Sequence, residues 1–412
     1  MTTFTAVLIV SPTAHPGRVV AGLSLARRNV LTARAAGAVR TLVVDADPLR
    51  RAAIAEGDPT VVGVAPSEVV TTLAHDDDVL VASATSVHEP HVYDALVRAR
   101  PGSPCGLASP AARLPVFRLP AAVARTVPWQ QVCAAERLTP DAMASFVDLD
   151  DARSDPGAFA VAVDDDAEAA RAADALWTSC RKASDGIISR HLNRRVSLLV
   201  SRTIVGTSLT PNQLSIFCIA LGVVAAVVTA FGGYTAILVG SILFKLNSVL
   251  DGVDGEIARV KWQKSEAGAL LDSAGDNVAN FAFFGALTFA AWTGGSTWLA
   301  QLGVAALAMW ALYLGFIYSR LHAMKRGDGQ LVRTAIDETQ NAWVQTVVQF
   351  LRRILRRDAF VMLMLLMAVA GIGELMLVPV FVGASITFGS ACLHWAVSLV
   401  RLSAAGRKET DG

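Results

Sequence analysis

Near the middle of the chain, Asp251, Asp254, Gly255, Ala258, Arg259, Gly268, Asp272 and Asp276 stand in one register, in or beside segments apolar enough to enter a bilayer. An ionisable side chain next to lipid is costly and marks function by default. Several carboxylates together repel one another unless positive charge lies between them. A divalent cation is the simplest such charge, and Mg²⁺ prefers hard oxygen ligands. Asp251 and Asp254, three residues apart, share one face of a helix, and Gly255 and Ala258 fall on that face too. Gly268, Asp272 and Asp276 repeat the device at four-residue spacing on the next helix. Two such helices side by side would gather four carboxylates, with small residues leaving room above them. That geometry suits a pair of metal ions holding a pyrophosphate. The alternative is a polar seam neutralised by Arg259, Lys261 and Lys264. It gives no reason for glycine and alanine at helical spacing among the carboxylates.

The elements that must position these residues are membrane spans. Six are expected: Leu214–Gly232, Tyr234–Leu250, Val278–Trp292, Thr297–Ser319, Ala359–Leu377 and Pro379–Val400. Each approaches the roughly 20 residues that cross a bilayer. The connectors Gly232–Thr235, Thr293–Ser296 and Gly371–Pro379 carry no Lys or Arg, whereas the opposite connectors and the tail carry many. Positive-inside bias then places both termini and the aspartates on the cytoplasmic side of the cell's inner membrane. Just before the first span, Ile187–Val205 mixes apolar residues with Arg190, His191, Arg194, Arg195 and Arg202. A basic amphipathic helix of this kind lies in a membrane interface. A solvated helix covering a soluble domain is the other reading.

The N-terminal half has a different texture. Short apolar runs (Thr5–Val10, Val39–Asp45, Thr60–Val64, Val79–Ser83) alternate with helical patterns at Val19–Ala36, Leu49–Glu56, Ser67–Ala74 and His91–Arg100. This alternation predicts a parallel sheet covered on both faces. Between Pro101 and Pro120 prolines break the pattern. Asp76–Asp78, His88 and His91 read as solvated loop residues. The fold class is therefore multi-domain: an N-terminal α/β, Rossmann-like domain (1–165), a linker with the interfacial helix (166–208), an all-α six-transmembrane-helix domain (209–402) and a cytoplasmic tail (403–412).

Bulk composition excludes several functions. The net charge of +1 gives no electrostatic basis for binding nucleic acid. The five cysteines are scattered without a CxxC pair, which argues against a disulfide framework and a zinc site. Ala6–Val10 is too short for a signal-peptide core, so the first domain is expected to stay in the cytoplasm.

The run of residues 251–276 fits D-x2-D-G-x2-A-R-x8-G-x3-D-x3-D with every position filled. It resembles the signature of the CDP-alcohol phosphotransferase family, whose architecture is a six-span region. The resemblance implies transfer of a substituted phosphoryl group from a CDP-alcohol donor to the hydroxyl of an alcohol acceptor, polar or lipid, with release of CMP. It also implies metal ligation by Asp251, Asp254, Asp272 and Asp276, with a pair of Mg²⁺ or Mn²⁺ ions. Asp276 would be the general base. Gly255, Ala258, Arg259 and Gly268 would shape the nucleotide site. Thr210 and Asn212, around Pro211, would reach the nucleotide, or Thr210 simply caps its helix. Family members are often homodimers. Asn277 and Asn280 depart from residues common in relatives, which leaves the acceptor preference open.

Three further residues are candidates for the acceptor. Arg356 and Arg357, with Arg352 and Arg353, either clamp an acceptor phosphate or anchor a helix to anionic lipid. Lys245 either reaches the site or snorkels; Asn247 lies beside it.

The N-terminal domain is weakly similar, through Gly22–Asp45 and Lys182–Asn193, to nucleotidyltransferase domains fused to some family members, such as the inositol-phosphate cytidylyltransferase fusions. An active domain of that type needs a glycine-rich basic loop after the first strand. Here Ser11–Arg18 contains one glycine, and Ala84–Ser86 follows the central strand where a metal-binding Asp belongs. The domain is therefore expected to be catalytically silent. Outside this family, a cation-coupled transporter using the aspartates is the competing reading. Such sites lie at the bilayer midplane, and these carboxylates lie toward the boundary.

Overall fold

The computed structural model describes residues 4–323 and 357–392, apart from 14, 74–77, 89–91, 98–103, 109–112, 136–137, 139–142, 144–149, 155–158, 182–185 and 187. The chain forms two compact units. One comprises Met1–Cys180, Val205–Thr207 and Arg259–Trp262; the other comprises Arg181–Ile204, Ser208–Ala258 and Gln263–Gly412.

The first unit is built on a seven-stranded sheet. Its strands are β1 (Phe4–Ile9), β2 (Ala38–Val44), β3 (Val61–Val64), β4 (Asp78–Ser83), β5 (Cys105–Ala108), β6 (Arg113–Leu119) and β7 (Asp150–Ser154). Their order across the sheet is β7-β5-β6-β4-β1-β2-β3. Every residue of β1 is buried, and it pairs in parallel with β2 on one side and β4 on the other. Its side chains alternate between two apolar clusters: Ala6 and Leu8 join one, Val7 and Ile9 the other. A sheet covered on both faces needs such a continuous apolar run. Helices α1 (Leu25–Ala35) and α2 (Pro48–Ala55) make the crossovers from β1 to β2 and from β2 to β3. The Asp47 side chain caps α2 by accepting from the Leu49 amide at 2.9 Å, with Pro48 in the first turn.

Two features of this unit differ from the sequence reading. The stretch between Pro101 and Pro120, expected to be broken by its prolines, contains β5 and β6, an antiparallel pair. Pairing steps from Gly106–Phe117 to Leu107–Leu114, so Pro115 falls in the irregular step, where its missing amide costs no ladder bond. His88 is not a solvated loop residue. It ends a short strand, Ser86–His88, that pairs antiparallel with Ala160–Ala162, and it is buried with its Nε2 2.7 Å from Ser86 Oγ. Asp78 begins β4 and pairs with Arg118; Asp76, Asp77 and His91 lie outside the described residues.

The second unit is helical. A π-helical turn, Ser189–Asn193, leads into α4 (Arg194–Ile204), which follows α3 (Asp166–Ser179) of the first unit. Then come α5 (Pro211–Ala230), α6 (Gly233–Val260), α7 (Glu266–Thr293), α8 (Thr297–Ala323), α9 (Arg357–Val369) and α10 (377–392). Among the described residues, four helical segments are long and apolar enough to cross a membrane: Pro211–Ala230, Gly233–Val260, Thr297–Phe316 and Gly373–Cys392. The other two expected spans fall on the apolar half of α7 and on the shorter apolar helix Ala359–Val369.

Helices α5 and α7 touch at small residues. A Cβ on Gly222 would stand 2.6 Å from Ala279 Cβ, and one on Gly275 would stand 2.5 Å from Ile219 Cγ1. Close backbone approach of this kind is how helices gain packing in lipid, where apolar side chains gain nothing by leaving it. Phe244 stacks on Phe283 at 4.1 Å between ring centres, within a cluster joined by Phe284 and Trp310.

The polarity of α4 is inverted relative to a soluble helix. Over the π-helical turn and α4, Asn193, Ser197 and Ser201 are buried together with Leu198, while Leu192, Val196 and Leu199 are exposed, Leu199 at 65%. Its apolar stripe faces away from the protein, which suits a helix lying in lipid.

Candidate functional site

Helical periodicity places Asp251 and Asp254 in the last third of α6, and Gly268, Asp272 and Asp276 in the first half of α7. The connection through residues 261–265 is short, so these two stretches meet. The Ser265 hydroxyl caps α7 by accepting from the Gly268 amide at 3.0 Å.

Asp251, Asp272 and Asp276 each offer a carboxylate oxygen, and these oxygens all lie within 4.8 Å of one another. Together with Ser215, Cys218, Asn247 and Gly275 they line a cleft of about 10 Å³. That is room for one small ion or water. Asn247 is 2% exposed, and its Oδ1 has no hydrogen-bond partner among the described residues. A buried amide oxygen left over beside three converging carboxylates is an oxygen-only donor set, which fits a hard dication such as Mg²⁺ or Mn²⁺.

Asp254 is held from a neighbouring helix. It is buried, its Oδ2 accepts a hydrogen bond from Ser215 Oγ on α5, and its Oδ1 is close to the Gly255 amide. Gly255 and Ala258 follow on α6, both half-buried. Arg259 occupies the last turn of α6 and counts with the first unit.

At the head of α5, Thr210 and Gln213 form a reciprocal capping box: the Gln213 amide donates to Thr210 Oγ1 at 3.3 Å, and the Thr210 amide donates to Gln213 Oε1 at 3.0 Å. Asn212 instead reaches α7, its Oδ1 only 3.0 Å from where a Cβ on Gly268 would sit. A larger residue at 268 would collide with it, which explains a glycine there. Lys245 is buried, and its Nζ donates to Asn193 Oδ1 at 2.8 Å. Arg352, Arg353, Arg356 and the side chain of Arg357 lie outside the described residues.

Sequence reasoning missed Ser215 and Glu256. Glu256 is fully buried between two signature residues, where it accepts from Arg194 Nη1, Ser197 Oγ and Ser201 Oγ, each at 2.7 Å. The only available signal was a polar side chain inside an apolar segment, and spacing alone does not say what such a side chain meets.

The first unit has a separate cavity of about 1240 Å³, lined by Pro12, His15, Arg18, Arg27, Asp47 and Arg50 among others. It opens beyond the carboxyl ends of β1 and β2, a usual ligand position in such sheets. Its arginines are engaged with carboxylates: Arg18 with Asp166, Arg27 with Asp58 and Arg50 with Asp45.

Residues 208–388 match the family model described as CDP-alcohol phosphatidyltransferase. The chain is 43% identical over 110 residues to the bifunctional IPC transferase and DIPP synthase of Aquifex aeolicus, covering 27% of this chain and 24% of that protein. It is 28% identical over 149 residues to phosphatidylinositol phosphate synthase of Mycobacteroides abscessus, covering 36% and 66%. Among solved structures, phosphatidylinositol phosphate synthase of Mycobacterium tuberculosis with CDP-DAG bound aligns at 18% identity and a TM-score of 0.37, covering 48% of this chain and 93% of that one. The matched stretches thus span about a quarter of the length of bifunctional relatives such as those of Aquifex aeolicus and Thermococcus kodakarensis.

Proposed function

We propose, from the premise that residues 208–388 belong to the CDP-alcohol phosphatidyltransferase family, that the chain is an integral-membrane phosphotransferase. It moves a substituted phosphoryl group from a CDP-alcohol to the hydroxyl of a second alcohol and releases CMP. The observation that carries this reading is the convergence of Asp251, Asp272 and Asp276 within a cleft that Asn247 also lines, its buried amide oxygen without a partner among the described residues.

When bound, divalent metal supplies neutralisation of charge building on the leaving CMP. The protein's own residues do the rest. Asp251, Asp254, Asp272 and Asp276 form the acidic set, with Ser215 fixing Asp254. Gly255, Ala258 and Gly268 keep space for cytidine and its phosphates, with Asn212 beside Gly268. Asp276 takes the proton of the acceptor hydroxyl as its oxygen bonds to the phosphorus that carries the donor alcohol. The bond from that phosphorus to the CMP oxygen breaks, and CMP departs. Arg356 and Arg357 belong to the acceptor side; Lys245, which donates to Asn193 on the face of α6 opposite the aspartates, does not.

The same site on a transporter would bind a permeating cation. The family match favours transfer chemistry. Charge bias of the connectors supports the reading that both termini and the site lie on the cytoplasmic face of the cell's inner membrane. The first unit serves as a catalytically silent scaffold of a homodimer: the arginines of its cavity are engaged with carboxylates rather than presented to a triphosphate.

The test is CMP release. Purified full-length protein with Mg²⁺ or Mn²⁺ meets a panel of CDP-alcohols, including CDP-diacylglycerol and CDP-inositol, with and without inositol phosphate and lipid alcohol acceptors. Acceptor-dependent CMP release is expected, and the donor that supports it identifies the substrate. Cation flux in proteoliposomes lacking any CDP-alcohol, without CMP release, would replace this reading with transport.

A further inference from the structure

Glu256 lies at a position that the signature leaves open, yet it is fully buried, with three donors at 2.7 Å. All three donors come from one helix, α4. Arg194, Ser197 and Ser201 follow one another at three- and four-residue steps, so they form a single stripe. On α6, Lys245, Gly252 and Glu256 are seven and four apart and likewise share a face. That face receives α4 throughout. Lys245 donates to Asn193, and a Cβ on Gly252 would stand 3.2 Å from Arg194 Nη1 and 3.5 Å from Ser197 Oγ. Gly252 therefore leaves the groove in which the guanidinium lies.

This face of α6 is turned away from Asp251 and Asp254. A two-residue step from Asp254 to Glu256 rotates about 200° round a helix. The helix is thus held from both sides, by the aspartate cleft on one and by α4 on the other. Arg194, Ser197 and Ser201 of α4 all donate to Glu256, so its grip on α6 includes charge and hydrogen bonds, which are directional.

We propose that Glu256 is a positioning residue. By locking α4 against the back of α6, it fixes the rotation of α6 that points Asp251 toward Asp272 and Asp276. The proposal rests on the metal site of the reading above, but it does not require any particular donor or acceptor.

The experiment measures Mn²⁺ affinity by electron paramagnetic resonance on the purified full-length protein, for wild type, Glu256→Gln, Arg194→Met and the double variant. If the pair positions α6, every variant weakens Mn²⁺ binding, by about tenfold or more, as supporting-residue changes at metal sites do. Electrostatics alone gives the opposite sign for one of them: removing the Arg194 cation would strengthen Mn²⁺ binding. Tighter or unchanged binding in Arg194→Met therefore overturns the proposal. The double variant leaves no unpaired buried charge, so it decides the matter if a single variant fails to fold, and wild-type affinity in it also overturns the proposal. Absence of CMP release from wild type with any donor would sink the reaction class while leaving the Mn²⁺ result standing. Absence of Mn²⁺ binding by wild type would sink both.

Discussion

The Ser215 hydroxyl on α5 donates to Oδ2 of Asp254 on α6, across 39 residues of chain, and both side chains are buried. The signature aspartates are therefore not equivalent. Three converge on one cleft, and the fourth is held in place by a neighbouring helix.

Asp254→Asn is expected to abolish Mg²⁺-dependent CMP release, because the charge is lost while the shape is kept. Ser215→Ala should leave a folded protein whose turnover falls by about one to two orders of magnitude, matching the roughly 1.5–3 kcal/mol of a hydrogen bond to a charged group. Steady-state kinetics check both. Near-normal turnover in Asp254→Asn would remove that residue from the site.

Chelation should stop turnover, and added Mg²⁺ or Mn²⁺ should restore it. Asp272→Asn and Asp276→Asn should each weaken Mn²⁺ binding by more than about tenfold, since a lost ligand costs at least as much as a lost supporting residue. They should differ in kinetics. Asp276→Asn also loses the proton acceptor, so its turnover stays low even at saturating metal. Full recovery of Asp276→Asn at high metal concentration would take the general-base role away from it.

Gly222→Ala should destabilise the membrane unit by about 1–3 kcal/mol, the range for overpacking. The new Cβ would stand 2.6 Å from Ala279 Cβ and 3.4 Å from Ala279 Cα, and backbone cannot retreat as a long side chain can. Thermal unfolding in detergent reads the loss. The pair Gly222→Ala with Ala279→Gly should recover most of it; no recovery would mean that this contact does not set the spacing of α5 and α7.

Acid should loosen the first unit in two steps. Burial pushes His88 down to about 4 from its ordinary 6.5, against a hydrogen bond with the Ser83 backbone that works the other way. The folded protein therefore holds the ring neutral where the unfolded chain would protonate it. Stability is intact above pH 6.5 and is lost as pH falls toward 4. Asp58 acts lower. Burial would raise its pKa, but hydrogen bonds from Thr60, Arg34 and Arg27 hold it well below the usual carboxylate range. Its contribution is present above pH 3.8 and disappears as pH falls through the depressed value. Hydrogen exchange at Ser86–His88, corrected for intrinsic rates, should accelerate between pH 6.5 and 4 in wild type and stay flat in His88→Gln. Equal slopes would assign the acid response to other groups.

Much of the site was legible in the sequence because a helix imposes its period locally. Three- and four-residue spacing fixed which face of α6 carries Asp251 and Asp254, and which face of α7 carries Asp272 and Asp276. Apolar runs similarly announced β1, β2 and the spans. Pro115 and His88 were misjudged because a bulge and a short strand pairing depend on partners distant in the chain.

Tertiary structure alone decided the rest. It gave Asp254 the Ser215 hydroxyl as a partner, and it left Asn247 beside Asp251, Asp272 and Asp276 with an oxygen that has no partner among the described residues. It also turned Glu256, ordinary by its position, into a fully buried carboxylate gripped by a helix 55 to 62 residues earlier. Periodicity tells which residues share a face, because that is set by backbone geometry within a few turns. What a face meets is set by packing between segments far apart in sequence, and no local pattern encodes it.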